Sequence, residues 1–266
     1  MNSDKNIKHR TPVSPPFLGG KLIDIPIEAL FNHLNLPALY RIGWGAGKAK
    51  EEKWAHYKRQ FSHRLEKMKQ DINDAKWISP AAAFGYWKCE TSADTLIIHS
   101  LEKQGLQSPI RLPVPRQAFP PHRSLVDYFS PRQDDGLDII AFQVVTMGNE
   151  VVERIRHLQS SGDTLEAYFT HGLAAQLTEA AASYMMAEIA AEVGFPTRKI
   201  KRFSWGYEPL PDLAQQIEIL NLLDPEHHLN IYFTSAYQFI PEFTTAALLI
   251  MHPEAEYFRI SKQKED

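Results

Sequence analysis

The chain has 266 residues, of which 44% are apolar and 23% charged, and its formal net charge is −3. These values are ordinary for a globular protein with a sizeable core, and the weak charge excludes a general attraction to nucleic acid or anionic membranes. Cys89 is the only cysteine, which excludes an intrachain disulfide or a thiolate metal cage and fits a reducing compartment.

The first 20 residues read as a flexible tail, because a polar start is followed by a segment rich in proline and glycine. The polar start contains no apolar signal core. The longest apolar run after Thr245 is also far shorter than the roughly 20 residues of a membrane span. We therefore expect a soluble, cytoplasmic protein that acts without a membrane.

Two helices are predicted next. Residues 25–34 carry one apolar stripe, with Pro26 where a first helical turn tolerates it. Residues 50–75 place apolar side chains at alternating spacings of three and four: Trp54, Tyr57, Phe61, Leu65, Met68 and Ile72. Lysines and arginines cover the other faces, so a nucleic-acid interface is one interpretation. The helical register of the aromatic residues favours the other, a core-facing stripe with a solvated basic surface.

The middle of the chain alternates between strands and loops. The predicted segments are strands at 84–89 and 95–99, a proline-rich loop at 105–123, a short helical segment at 124–129 and a buried strand at 139–146.

The longest predicted helix spans residues 164–193. Asp163 is its expected N-cap, with Glu166 three residues later, and Gly194 and Pro196 end it. Because the helix is apolar on nearly every face, we expect it to be central. A further helix at 211–223 and strands at 229–233 and 246–251 complete one α+β domain, which we place at residues 21–262.

Common catalytic motifs are weak in this chain. The glycine-rich segment 43–48 lacks a preceding strand and the Walker spacing, so a tight turn beside a packed Trp44 is the better interpretation. The adjacent His227 and His228 do not have the spacing of zinc ligands on a helix. Cys89 lies in a strand pattern, which gives little support for a nucleophile.

The last quarter of the chain carries a more specific pattern, with the sequences RFSWGYEPLPD from residue 202 and HPEAEYF from residue 252. This pattern resembles the C-terminal activation domain of cobalamin-dependent methionine synthase. The similarity continues through segments 15–19, 25–35, 84–87, 123–129 and 171–184, in the order of that family. It covers about residues 15–260.

The resemblance implies a single C-shaped domain with a central twisted, mainly antiparallel sheet flanked by long helices. It also implies that the protein holds S-adenosylmethionine for the reductive methylation of cobalamin. The partners implied are a cobalamin-binding methionine synthase or related corrinoid protein and a flavodoxin-type reductant. Because this sequence starts at Met1 without the family's other modules, we expect cobalamin to come from a partner protein.

The same resemblance implies six binding residues. Arg202 would pair with the carboxylate of the ligand through its planar guanidinium, and composition alone also allows a surface arginine in a basic run. Ser204 would offer backbone groups to the adenosine, and Tyr207 and Tyr257 would line the pocket near the sulfonium, with core aromatics as the alternative. Glu179 would contact the cationic part of the ligand or, alternatively, face water.

Asn35 is the sixth predicted residue, and it stands where some family members have an aspartate that contacts the amino group of the ligand. The sequence departs from the family at the turn of residues 206–211, which reads GYEPLP in place of GYPACP, and at Met186 and Glu188, which are commonly His and Arg.

Four functions follow from these observations. The first is an S-adenosylmethionine-binding activator of a corrinoid methyltransferase, as an accessory component that is not a complete enzyme alone. The second is a diverged binding or scaffold protein of the same fold without the ligand. An independent methyltransferase and a nucleic-acid binder have less support.

Overall fold

The computed structural model describes residues 13–99, 108–130, 137–223 and 229–262. Its helices are α1 (Ile27–His33), α2 (Leu36–Ala38), α3 (Glu51–Ala75), α4 (Glu150–Ser160), α5 (Thr164–Glu192) and α6 (Gln215–Leu223). A π-helical turn lies at Leu39–Gly43, and 3-10 turns lie at Leu125–Tyr128 and Thr197–Lys199. The strands are β1 (Gly19–Asp24), β2 (Ala81–Ser92), β3 (Thr95–His99), β4 (Ile110–Pro113), β5 (Asp138–Thr146), β6 (Ile200–Phe203), β7 (Tyr232–Phe233), β8 (Phe239–Ile240) and β9 (Thr244–Met251).

Within the described residues, seven strands form one sheet: six follow the order β4-β3-β2-β5-β9-β6, and the seventh, β1, pairs with β2. The first half of β2 pairs with β1 and its second half with β3, so the two shorter strands share one edge of β2. Every pairing in this sheet is antiparallel. The predicted α+β class with a mainly antiparallel sheet is therefore confirmed.

The core lies on both faces of the sheet, because the strands alternate with a period of two. In β2, Phe84 and Tyr86 face one cluster, which contains α3 and α5, whereas Trp87 faces a second cluster, which contains α6. The structure confirms α5 as a central helix, since buried residues occur along its whole length. Its predicted N-cap is also confirmed: the Asp163 carboxylate accepts a hydrogen bond from the Glu166 amide at 3.1 Å.

Helix α3 confirms the core-facing interpretation of its aromatic stripe. Phe61, Leu65, Met68 and Ile72 are buried, and Trp54 and Tyr57 pack against them. Trp44 is only 3% exposed, and its indole nitrogen donates to the carbonyl of Phe169 at 2.9 Å. The glycine-rich segment is thus a turn around a packed tryptophan.

Several predicted elements need correction. The predicted tail extends to residue 20, but β1 begins at Gly19, and the centroid of the Phe17 ring lies 5.2 Å from that of Tyr86. Strand β4 lies inside the predicted proline-rich loop, and α4 was not predicted. The predicted strand at 229–233 is only the two-residue β7. Residues 1–12 and the pair His227-His228 lie outside the described residues.

Candidate functional site

The candidate site is a cleft of about 730 Å³ at the edge of the main sheet, where β6 lies beside β9. Five of the six predicted binding residues line it: Glu179, Arg202, Ser204, Tyr207 and Tyr257. They come from α5, from β6 and the turn that follows it, and from the segment after β9. The fold thus brings residues that are up to 78 positions apart into one cleft.

Arg202 reaches the cleft because of its register in β6. It lies opposite Leu249 of β9, and Leu249 belongs to the core cluster on the α5 side of the sheet. The Arg202 side chain therefore extends towards α5, where its Nη2 donates to Glu179 Oε2 at 2.5 Å. The side chains of Lys201 and Phe203, its neighbours in β6, lie on the opposite face of the sheet.

The guanidinium of Arg202 is incompletely satisfied. Its side chain is 19% exposed, whereas that of Glu179 is 55% exposed. The Nη1 atom of Arg202 is buried and has no hydrogen-bond partner among the described residues. A buried cationic donor without a partner is costly, so an anionic group that reached this atom would be stabilised by it.

Tyr257 connects the C-terminal segment to β6. Its hydroxyl accepts a hydrogen bond from the Arg202 amide at 3.3 Å, and its ring lies 5.4 Å from that of Phe203. The side chain is nevertheless 63% exposed, and that of Tyr207 is 70% exposed. These two aromatic residues therefore lie at the rim of the cleft and not in the core, and their contact with a ligand stays a prediction.

The turn that presents Tyr207 depends on the conformation of Gly206. This glycine has a φ of +86°, which side chains with a Cβ rarely adopt. Its amide donates to the carbonyl of Leu210 at 2.8 Å, and the Leu210 amide donates to the carbonyl of Tyr207 at 2.8 Å. The divergent sequence of this turn thus still forms a tight, hydrogen-bonded loop.

Glu208, a divergent residue in that turn, also lines the cleft. Its carboxylate accepts hydrogen bonds from the Ser261 hydroxyl at 2.7 Å and from the amides of Ser261 and Ile260 at 3.1 and 2.6 Å. The Ser261 hydroxyl, followed by these amides, lowers the pKa of Glu208 below its usual value. In the sequence this position is only a departure from the family, whereas in the structure it connects the turn to the C-terminal segment.

Asn35 is not among the residues that line the cleft. Its side-chain oxygen accepts a hydrogen bond from the Ala38 amide at 3.1 Å and so caps α2. This local role accounts for an asparagine at the position, and a contact with a ligand stays a prediction.

Sequence reasoning missed part of the cleft lining, which also includes Phe203, Pro209, Thr245, Phe258 and Arg259. Phe258 and Arg259 directly follow the predicted Tyr257, so their position along the chain was an available signal. Thr245 offered no such signal, because it reaches the cleft through the pairing of β9 with its neighbours. Across the described residues, no group of three or more His, Cys, Asp or Glu side chains could hold a metal ion, and no helix is long and apolar enough to cross a membrane.

Comparison with known proteins identifies the family. The sequence model of the vitamin B12 dependent methionine synthase activation domain matches residues 25–266. The chain is 24% identical to the methionine synthases of Mycobacterium leprae and Mycobacterium tuberculosis, over 93% of its own length and 23% of theirs. It therefore spans about a quarter of the length of these curated relatives.

A solved structure has the same fold. The crystal structure of the MetH reactivation domain bound to AdoHcy superposes with a TM-score of 0.84, covering 99% of this chain and 86% of that one at 19% sequence identity. The family model, which spans far more than half of the sequence, confirms the resemblance inferred from the motifs. The chain belongs to the family of vitamin B12 dependent methionine synthase activation domains.

Proposed function

We propose that this protein binds S-adenosylmethionine in the cleft between Arg202 and Tyr257 and supports, in trans, the reactivation of a B12-dependent methionine synthase. The observation that carries the proposal is the Arg202 guanidinium. It is largely buried, it faces the cleft beside Glu179, and its Nη1 lacks a partner among the described residues. Family membership and the AdoHcy in the related reactivation domain support the same ligand class.

The residues of the cleft suit the groups of S-adenosylmethionine. The volume of about 730 Å³ lies within the range of small-molecule sites, roughly 300–1,000 Å³. Arg202 would bind the carboxylate with a charge-assisted hydrogen bond from Nη1, and Glu179 would pair with the cationic part. Tyr207 and Tyr257 would present aromatic faces to the sulfonium, a favourable cation–π arrangement. Ser204 would face the adenosine end.

The proposed methyl transfer requires a correctly positioned ligand rather than acid–base groups of the protein. S-adenosylmethionine supplies an activated methyl group, because its sulfonium is already a good leaving group. The work of this chain would then be to hold that methyl in a fixed direction at the open side of the cleft. The high exposure of Tyr207 and Glu179 keeps this side accessible to a large partner.

That partner would be the corrinoid-bearing part of a methionine synthase, with a flavodoxin-type protein as the reductant. The chain would be an accessory component and not a complete enzyme alone. We expect the activity to be cytoplasmic, where such a reductant is available.

A label-transfer assay tests this proposal. The protein would be mixed with a methionine synthase from which the activation domain has been deleted, a flavodoxin reducing system and S-adenosylmethionine labelled in the methyl group. The expected result is label on the corrinoid and restored turnover only when wild-type protein is present, with Arg202→Ala as the negative control. Absence of transfer at saturating concentrations, although the ligand binds, would contradict action in trans. Absence of binding would favour a scaffold without the ligand.

A further inference from the structure

The ion pair between Arg202 and Glu179 places an internal carboxylate where a ligand carboxylate would bind. Glu179 Oε2 lies 2.5 Å from Arg202 Nη2, a short charge-assisted contact. The second terminal nitrogen, Nη1, stays without a partner in the described part of the chain. One of the two terminal nitrogens of the guanidinium is therefore already bound to a carboxylate, the same kind of group that an amino acid ligand would offer.

The fold holds both members of the pair in place. Arg202 lies in β6, whose backbone is paired with β9, and its amide also donates to the Tyr257 hydroxyl. Glu179 lies near the middle of α5, a helix with buried residues along most of its length. Since neither backbone is in a loop, the carboxylate can leave the guanidinium only by rotation of its side chain.

This arrangement makes binding depend on the charge of the ligand. A ligand carboxylate on Nη1 would lie next to the carboxylate of Glu179, and two like charges repel in a partly desolvated cleft. A cationic group on the same ligand removes this repulsion, because Glu179 can turn from Arg202 to that group. A ligand that carries only a carboxylate leaves the repulsion between its carboxylate and that of Glu179 in place.

We propose, on the basis of the proposed function, that Glu179 is a specificity-determining residue: it pairs with Arg202 before a ligand binds and favours adenosyl ligands that carry a cation as well as a carboxylate. In this role it rejects anionic analogues as well as attracting cationic ones. A glutamate that only stabilised the fold would change the affinity of all ligands together.

Three probes that differ in charge test this inference by isothermal titration calorimetry. They are S-adenosylmethionine, with two cationic groups; S-adenosylhomocysteine, with one; and 4-(5′-adenosylthio)butanoate, which keeps the carboxylate but has none. For the wild type we expect the affinity to fall in this order. In Glu179→Gln the butanoate should bind about tenfold more tightly than in the wild type and S-adenosylmethionine about tenfold more weakly, each corresponding to about 1.4 kcal/mol.

Glu188→Gln is the matched control, because Glu188 is an exposed glutamate on the same helix that does not line the cleft. It should leave all three affinities unchanged. If the wild type binds S-adenosylmethionine but Glu179→Gln changes the three affinities in the same direction, or not at all, the inference is overturned and the proposed function stands. If the wild type binds none of the three probes, the proposed function fails, and this inference with it.

Discussion

Replacement of Arg202 by alanine is the most informative single change for the binding site. Arg202 is a largely buried cation that lines the cleft, and its Nη1 is the donor that would gain a partner when a ligand binds. Its Nη2 already donates to Glu179, so the ligand would exchange a bond there rather than add one. The net gain on binding is thus about one charge-assisted hydrogen bond.

The expected loss of affinity follows from this net gain of one charge-assisted hydrogen bond. A hydrogen bond to a charged group contributes about 1.5–3 kcal/mol, which corresponds to roughly a 10- to 150-fold change in affinity. We expect Arg202→Ala to weaken S-adenosylmethionine binding by this amount. The fold should persist, because the lost ion pair is with a Glu179 side chain that is 55% exposed, and such pairs contribute about 1 kcal/mol or less.

Isothermal titration calorimetry measures the affinities, and circular dichroism checks the fold. Arg198→Ala is the matched control, since Arg198 lies in the same basic run but is exposed and does not line the cleft. It should bind as the wild type does. A dissociation constant for Arg202→Ala within twofold of the wild-type value would refute the assignment of Arg202 to the ligand carboxylate.

Three further predictions concern stability. Gly172→Ala should lower the free energy of unfolding by about 1–3 kcal/mol, because its Cβ would lie 2.6 Å from the Gly43 carbonyl oxygen. Gly20→Ala, whose Cβ would meet its nearest atoms at 3.4 Å, should change it far less, and chemical denaturation compares the two. Asp163→Ala removes the N-cap of α5 and should cost about 0.5–2 kcal/mol in the same assay, and an unchanged midpoint would contradict the cap. The lowered pKa of Glu208 means that its stabilising contribution is full above its ordinary value of 4.5 and is lost as the pH falls through the lowered value. Wild type should therefore lose more stability than Glu208→Gln between pH 6 and pH 3, and equal losses would contradict this contribution.

The sequence predicted elements whose own residues carry a strong pattern. Helix α5 is apolar nearly all round and has an N-cap and a terminating glycine, and α3 repeats apolar residues over several turns. The hairpin of β2 and β3 has two apolar runs and a polar turn. In these segments, local preference and tertiary packing favour the same structure.

The missed strands depend on contacts that no local pattern shows. Strand β1 begins with two glycines, which are poor strand formers, and it exists because its backbone pairs along β2 from Tyr86 to Ala81. Strand β6 reads as a basic run, since only its terminal residues Ile200 and Phe203 are buried. It is extended because it completes the sheet beside β9.

The sequence likewise predicted only part of the candidate site. The motif around Arg202 and Tyr257 indicated a ligand, but neither composition nor spacing could show that Arg202 contacts Glu179, which is 23 positions away. Nor could they show that Glu208 binds the amides of residues 260 and 261. Asn35 was grouped with the site by resemblance, whereas its local hydrogen bond makes it a helix cap. Side-chain pairing across the fold accounts for the first two differences, and a hydrogen bond within one helical turn accounts for the third.

A crystal structure of this protein with S-adenosylmethionine or S-adenosylhomocysteine would show directly whether Arg202 binds the ligand. We expect ligand density in the cleft, with the carboxylate within hydrogen-bond distance of Arg202 Nη1 and the Glu179 carboxylate turned towards the amino group. An empty cleft at saturating ligand, or a ligand bound away from Arg202, would contradict it.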